Sequence, residues 1–408
     1  MGKNYVIIGS GVAAVTAAKA IRDQDPNGEI MIFGEEKFLP YNRIKLSKDL
    51  FSDLKSEKVL IKKAKWYERN QIQLFPNTKI TSINTETRII VTGSGDNISY
   101  DQLLLCTGAK NRKLPIEGFG NKGVFSIREM QEAEDFKSYI ESKNHITTIG
   151  GGVQGLETAW SILQSDKQVT IVEANSRLMA KQLDERTSKL LKDKIEATGV
   201  KVHLNASIGG IVAVDEGIEV MINESEFIRS DSVIYSVGVQ PNLALVENTP
   251  IETKRGIIVN EEMKTNVEGI FAAGDVTELN DEVEGLWNRA MEQGKVAGAN
   301  MAGRKATFQK TLPVTIFNAF GLTLFSIGLV DERLCDQSII ENDGIEKYTR
   351  VFVKDKKVVG VISLDGVAAS LPYKFAIENQ LSFDKIDLDN ISISELVNEI
   401  KKQQAVYA

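Results

Sequence analysis

Two stretches of the same design constrain this chain more than anything else in it. The first reads Tyr5-Val-Ile-Ile-Gly-Ser-Gly-Val-Ala-Ala-Val-Thr-Ala-Ala, and the second Ile146-Thr-Thr-Ile-Gly-Gly-Gly-Val-Gln-Gly-Leu-Glu-Thr-Ala-Trp. Each begins as a strand, a short apolar run in the first, meets a cluster of glycines and continues as a helix. Gly9 permits the tight turn, Gly11 lets the backbone approach a ligand with no Cβ in the way, and Ala14 is small enough for helix and strand to pack closely. Gly150, Gly152 and Gly155 fill the same places in the second stretch. The free N–H groups and partial positive charge at each helix start, roughly +0.5, suit a diphosphate. Strand, glycine turn and helix form the context that a dinucleotide fingerprint requires. Two copies call for an α/β chain with two Rossmann-like dinucleotide-binding domains.

Each copy is followed by a second strand that ends at an acid. Glu29–Phe33 leads to Glu35 and Glu36, either of which is placed to accept from an adenosine ribose. The strand 168–172 ends at Glu173, whose carboxylate can accept from both hydroxyls of an unphosphorylated ribose and would repel a 2′-phosphate. The second half should therefore prefer NADH to NADPH. Two nucleotide sites on one chain suggest FAD beside NADH. The segment 265–279, TNVEGIFAAGDVTEL, ties the first site to FAD. Its strand 269–273 ends at Gly274-Asp275, and a helix is expected to follow. Asp275 can bond a ribityl hydroxyl or cap that helix; the roles use different oxygens. Leu103-Leu-Leu-Cys-Thr-Gly-Ala, with Thr107 and Gly108, and its counterpart Ile234-Tyr-Ser-Val-Gly, with Gly238, read as strands returning into a crossover between domains.

Composition narrows the field. At about 100–200 residues per domain, 408 residues allow two to four domains. No run approaches about 18 uncharged apolar residues, so no membrane span is expected. The N-terminal 20 residues could pass for a signal peptide, but the glycine turn explains them better. A net charge of −7 argues against nucleic-acid binding. Two cysteines, Cys106 and Cys335, lie far apart, and two histidines, His145 and His203, leave little room for a metal centre or a Ser-His-Asp triad. No metal is expected, and a reducing cytoplasm fits.

These elements, in this order and over the whole chain, resemble the FAD-dependent pyridine nucleotide-disulfide oxidoreductase superfamily. The stretches Leu39-Pro-Tyr-Asn-Arg-Ile-Lys-Leu-Ser-Lys, Arg177-Leu-Met, Gln182-Leu-Asp, and Trp287 with Gln293-Gly-Lys-Val-Ala-Gly are most similar to NADH:rubredoxin reductases and the flavoprotein portion of NAD(P)H nitrite reductases. Disulfide reductases of the superfamily carry a cysteine pair after the first acid and a C-terminal histidine, while its peroxidases, water-forming oxidases and coenzyme A disulfide reductases carry a single cysteine after that acid. Here the first region reads Glu35-Glu-Lys-Phe-Leu-Pro-Tyr-Asn-Arg and no histidine follows His203, so no thiol relay is expected. Cys106 lies in an apolar run and is expected to pack as a small hydrophobe.

The resemblance implies further roles. In ferredoxin-reductase-like relatives, a lysine of the LSK segment pairs with a glutamate just past the last fingerprint glycine; these are Lys48 and Glu157. An ammonium near flavin N5 would stabilise arriving electron density. An exposed helix lysine and a first-turn acid are the plainer readings. Arg43 would clamp the FAD diphosphate or stand as a surface arginine. Trp287 and Asn288 would open a helix, running to about Met301, whose N-terminus faces the flavin pyrimidine edge. Trp287 reads equally as an anchoring aromatic.

The expected layout is an FAD domain from residues 1–110 and 239–310, an NAD domain over 111–238, and a C-terminal α+β interface domain over 311–408. In that last domain, 351–364 reads as a hairpin and a final helix runs from about Ser392 to Gln403. The expected acceptor is a small acidic electron-transfer protein, rubredoxin or ferredoxin. It would dock on the basic stretch Lys55, Lys58, Lys62, Lys63, Lys65 and Arg69, which otherwise reads as a solvated face. Three alternatives remain open: an NADH oxidase using O2, the electron-input subunit of a nitrite or nitrate reductase system, and an NADH-responsive binding protein resembling apoptosis-inducing factor.

Overall fold

A run of residues that is apolar on both strand faces needs a sheet covered on both sides. The run Tyr5, Val6, Ile7 and Ile8 obtains one, as does Leu103, Leu104 and Leu105; all seven are buried. Fully burying one such aliphatic side chain is worth about 1.5–3 kcal/mol. The computed structural model describes residues 2–342, 348–364 and 366–407. The chain divides into two compact units, one comprising Met1–Lys113, Ile127–Glu134 and Gly238–Gln309, the other Leu114–Ser126, Asp135–Val237 and Lys310–Ala408.

The first unit holds a five-stranded sheet in the order Ile270–Ala272, Gln102–Leu105, Asn4–Ile8, Glu29–Phe33, Ile72–Phe75, parallel throughout. The first glycine-turn helix, Val12–Gln24, packs on the long helix Trp287–Met301. Their approach is close because Gly294 and Gly298 lack side chains. A Cβ on either would lie 2.3 Å from the carbonyl oxygen of Ala13 or Ala17.

The second unit repeats the plan: Val124–Phe125, Ser232–Tyr235, His145–Ile149, Gln168–Val172, Lys201–His203, again all parallel. In both units a three-stranded antiparallel sheet precedes the strand that returns beside the glycine-turn strand. It is formed by Ile80–Asn84, Ile89–Thr92 and Asn97–Ser99 in one, and by Ile208–Val214, Gly217–Ile222 and Glu226–Ser230 in the other. The second unit also carries a five-stranded antiparallel sheet ordered Val314–Ala319, Leu322–Gly328, Lys357–Leu364, Tyr348–Lys354, Gln337–Asn342. Phe325, Val351, Tyr373, Phe383, Leu396 and Ile400 join this sheet to the helices Ser370–Glu378 and Ile393–Tyr407 in one core.

Several sequence expectations need correction. No helix follows Asp275; Thr277–Glu278 is a short strand paired with Ile257–Ile258, and the next helix begins at Trp287. Residues 127–134, expected within the NAD domain, belong to the first unit. The Met130 amide is held there by Glu36 and the Tyr41 hydroxyl, at 3.2 and 2.9 Å. The final helix starts as expected, with Ser392 Oγ accepting from the Glu395 amide and Glu395 accepting from the Ser392 amide. It runs past Gln403 to Tyr407. The hairpin in 351–364 forms, turning at Asp355-Lys356, both with positive φ.

Candidate functional site: two glycine cradles

Gly9 and Gly150 answer to internal geometry. Their φ values are +105° and +112°, and a Cβ would stand 2.1 Å from the Cys106 carbonyl oxygen or 2.3 Å from that of Ser236. Gly11 and Gly152 answer to something else. Each precedes its helix with an ordinary extended φ, −77° and −81°, and a Cβ on either would meet no protein atom within 4 Å. No side chain caps either helix start. Neither conformation nor packing demands glycine there, and the space in front of each is left open to a ligand. A pyrophosphate pressed against the first-turn N–H groups is such a ligand. Both cradles thus fit the dinucleotides implied by the sequence.

In the first unit the expected residues form two groups. Glu36 binds Arg43 Nη2 at 2.5 Å and accepts from the Tyr41 hydroxyl at 2.7 Å. Arg43 Nη1 donates to the Arg128 carbonyl at 2.7 Å and to the Tyr41 oxygen at 3.2 Å. Both terminal nitrogens of Arg43 thus have partners within the protein, and Glu36 is its counter-ion. Glu129 sits close by, and burial followed by the Glu36 charge raises its carboxyl pKa. Glu35 is exposed and bonded to Lys79 Nζ at 2.8 Å.

The second group surrounds the end of the strand Ile270–Ala272. Arg128 Nη2 binds Asp275 at 2.5 Å while its Nε donates to the Ala109 carbonyl at 3.1 Å. The Gly274 amide and the Thr277 hydroxyl both donate to Gln293 Oε1, at 2.8 and 3.1 Å. Thr107 Oγ1 donates to the Asn242 carbonyl, and the Asn242 amide to Gly108, pinning the two return segments together. Ala109–Asn111 and Val239–Pro241 pair antiparallel, and Gly238 accepts from the Arg112 amide. Ala14 is fully buried. Lys48 is exposed at the end of the one-turn helix Lys45–Lys48. Trp287 is half-buried and Asn288 exposed at the start of their helix, which no side chain caps.

In the second unit Glu173 is 8% exposed. Its Oε2 accepts from the Gly151 amide at 2.6 Å, and its Oε1 from the amide and side chain of Asn175 at 2.7 and 2.6 Å. Three donors fix the carboxylate at the rim of the glycine turn. Gly155 has no room for a side chain, since a Cβ would lie 2.0 Å from the Gly150 carbonyl oxygen. Glu157 is buried, 5% exposed, in the helix Val153–Leu163.

The sequence reading did not select Arg128, Tyr41 or Gln293. Tyr41 and Gln293 stand in stretches whose resemblance was noted, but Arg128 belongs to no pattern and only tertiary structure brings it to Asp275. Both cysteines are free. Burial pushes the Cys106 thiol far up, and that of Cys335 up as well, with Asp331 adding to it. Neither is poised as a thiolate.

Comparison with known proteins agrees with this geometry. The profile described as "Pyridine nucleotide-disulphide oxidoreductase" matches residues 3–294, and that of "Rubredoxin NAD+ reductase C-terminal domain" matches 313–381. The chain belongs to the pyridine nucleotide-disulphide oxidoreductase family. Among curated members of this family, it is 30% identical to the NADH-rubredoxin oxidoreductase of Clostridium acetobutylicum, over 97% of this chain and 98% of the relative. It is 31% identical to a Bacillus subtilis nitrite reductase [NAD(P)H] over 88% of this chain but only 45% of that protein. Of solved structures, the C. acetobutylicum NADH:rubredoxin oxidoreductase aligns with a TM-score of 0.81 at 29% identity, covering 98% of this chain and all of that one. The Rhodopseudomonas palustris ferredoxin reductase for the CYP199A2 system aligns at 0.84 and 25% identity, covering 95% and 99%. Among the described residues no helix is long and apolar enough to cross a membrane.

Proposed function

We propose that this chain is an FAD-dependent NADH oxidoreductase that passes electrons to a small redox protein, a rubredoxin or ferredoxin. The observation that carries the reading is the pair of glycines, Gly11 and Gly152, whose absent side chains serve nothing inside the protein. Full-length similarity to a rubredoxin reductase supports it. FAD, when bound, converts the hydride of NADH into electrons that leave one at a time. The protein supplies everything else.

The first cradle holds the FAD diphosphate, with Glu35 offered to the adenosine ribose. Asp275, oriented by Arg128, and Gly274, held by Gln293, address the ribityl chain. The Trp287–Met301 helix brings its uncapped N-terminus and partial positive charge to the ring. The second cradle receives the NADH diphosphate, and Glu173 takes the unphosphorylated ribose. For Lys48 the role is to favour electron density arriving on the flavin, and for Glu157 to orient an ammonium. Two protonated thiols leave no sulfur intermediary and suit the cytoplasm.

The exposed cations Lys55, Lys58, Lys62, Lys63, Lys65 and Arg69 offer a steering surface for an acidic partner. The main-chain bonds Asn42 amide to Val59 carbonyl and Ile61 amide to Pro40 carbonyl hold this segment against the turn that carries Arg43. The test is an anaerobic assay of the purified yellow protein with NADH against rubredoxin, ferredoxin, O2 and ferricyanide. Multiple turnover with a protein acceptor, weakened by reversing Lys62, Lys63 and Lys65, is expected. Turnover with O2 alone would make the chain an oxidase, and slow flavin reduction with a long-lived charge-transfer complex would make it an NADH-responsive binding protein.

A further inference from the structure

Several contacts between the antiparallel sheet of the second unit and the NADH half lead to one turn. Gly151 is gripped from both sides: its amide donates to Glu173, and its carbonyl accepts from the Met179 amide at 2.9 Å. A Cβ at Gly151 would also lie 2.6 Å from the Leu178 side chain. The loop from Glu173 to Asp184 is therefore the wall against which the turn is set. Its far end is fastened to the antiparallel sheet. Ser326 Oγ donates to the Gln182 carbonyl at 2.5 Å, and Arg350 Nη1 reaches Asp184 Oδ2 at 2.6 Å. Asp184 is buried and its other oxygen accepts from the Thr187 amide at 2.8 Å, capping the helix Glu185–Glu196. Arg350 is itself fixed by Glu332 at 2.6 Å, by Ser338 at 3.2 Å and by the face of Phe352, 4.8 Å from the ring centre. On the other flank, the ring of Phe320 lies 5.1 Å from that of Trp160, in the helix Val153–Leu163 that follows Gly152.

We propose that Arg350, with Ser326, is a positioning residue for NADH. It acts through Asp184 and the 174–184 loop to hold Gly151 and Glu173 where the cofactor's diphosphate and ribose meet them. Removing the guanidinium takes from the buried Asp184 carboxylate the charge it is paired with, which is strongly unfavourable. The loop relieves this by moving, and Met179 and Asn175 move with it. The inference rests on the reading of the second cradle as the NADH site.

The experiment uses the FAD-loaded protein with ferricyanide as acceptor, and records KM for NADH, kcat, FAD content and melting temperature. Arg350→Ala should raise KM about tenfold, with kcat and FAD content near those of the unaltered protein. Ser326→Ala should raise KM about twofold, and Arg350→Lys, which restores the charge beside Asp184, should return KM most of the way. If Arg350→Ala does not fold, Ser326→Ala and Arg350→Lys decide the question by the same split. An unchanged KM in folded variants, or a rise in KM accompanied by a fall in kcat and FAD content, overturns the proposal. Failure of NADH to reduce the unaltered protein would instead remove the NADH reading itself.

Discussion

The two parallel sheets share strand order, register and a glycine turn, yet they hold their acids differently. Glu173 is buried and fixed by three N–H donors, while Glu35 is 61% exposed at its side chain and has Lys79 for company. The tight packing also falls in different places. In the second unit Gly155 lets the helix close on its own turn; in the first, Ala14 stands there and the close approach passes to Gly294 and Gly298 of a neighbouring helix. The second cradle is thus set in advance around one carboxylate, which suits a ligand that comes and goes. The first is built from several segments, including Arg128, Asp275 and Gln293, which suits a group that stays. One topology serves both because the sheet fixes only the turn and the helix start.

The largest effect expected from testing this comparison is at the glycines the fold itself needs. Gly9→Ala and Gly150→Ala each combine a left-handed backbone with a collision against a carbonyl oxygen, and should cost about 3 kcal/mol or more. Thermal unfolding checks this, and Gly9→Ala should also be recovered with little flavin. Next come Gly11→Ala and Gly152→Ala. Unfolding of the cofactor-free protein should shift little, within about 1 kcal/mol, the cost of placing a Cβ in open space being small. Ligand affinity should fall at least about tenfold, for FAD in the first and NADH in the second. Equal losses of both cofactors in both variants would erase the distinction between the cradles.

Lys48→Ala and Glu157→Ala test the roles proposed for these two residues. Each should slow reduction by NADH about 10- to 100-fold in stopped-flow, with FAD retained. Unchanged rates would leave Lys48 as a surface lysine and Glu157 as a structural acid. The smallest effect is one of pH and is confined to the second sheet. Burial lowers the pKa of His145, whose Nε2 lies 2.8 Å from Thr170 Oγ1. The unfolded chain therefore takes up a proton at about pH 6.5, where the folded chain does not. Stability falls as pH drops below that value and levels off below the folded pKa. His145→Gln should flatten this slope in unfolding measured from pH 7 to 5, and leave the first unit's flavin absorbance unaltered.

The sequence alone determined the parts that are local or periodic. Gly9-Ser-Gly and Gly150-Gly-Gly announce strand, turn and helix because glycine suits the left-handed backbone at Gly9 and Gly150, and the unbroken apolar run Tyr5–Ile8 requires a doubly covered parallel sheet. The hairpin at Asp355-Lys356 and the capping box at Ser392 are equally local. Tertiary structure decided what these signals leave open. It paired Arg43 with Glu36, gave Asp275 an arginine instead of a helix to cap, and assigned 127–134 to the first unit. It also brought Arg350 to Asp184 from 166 positions away. A side chain's partner at that distance depends on how sheets and helices pack, and a charged residue in sequence carries no mark of which opposite charge the fold will bring to it.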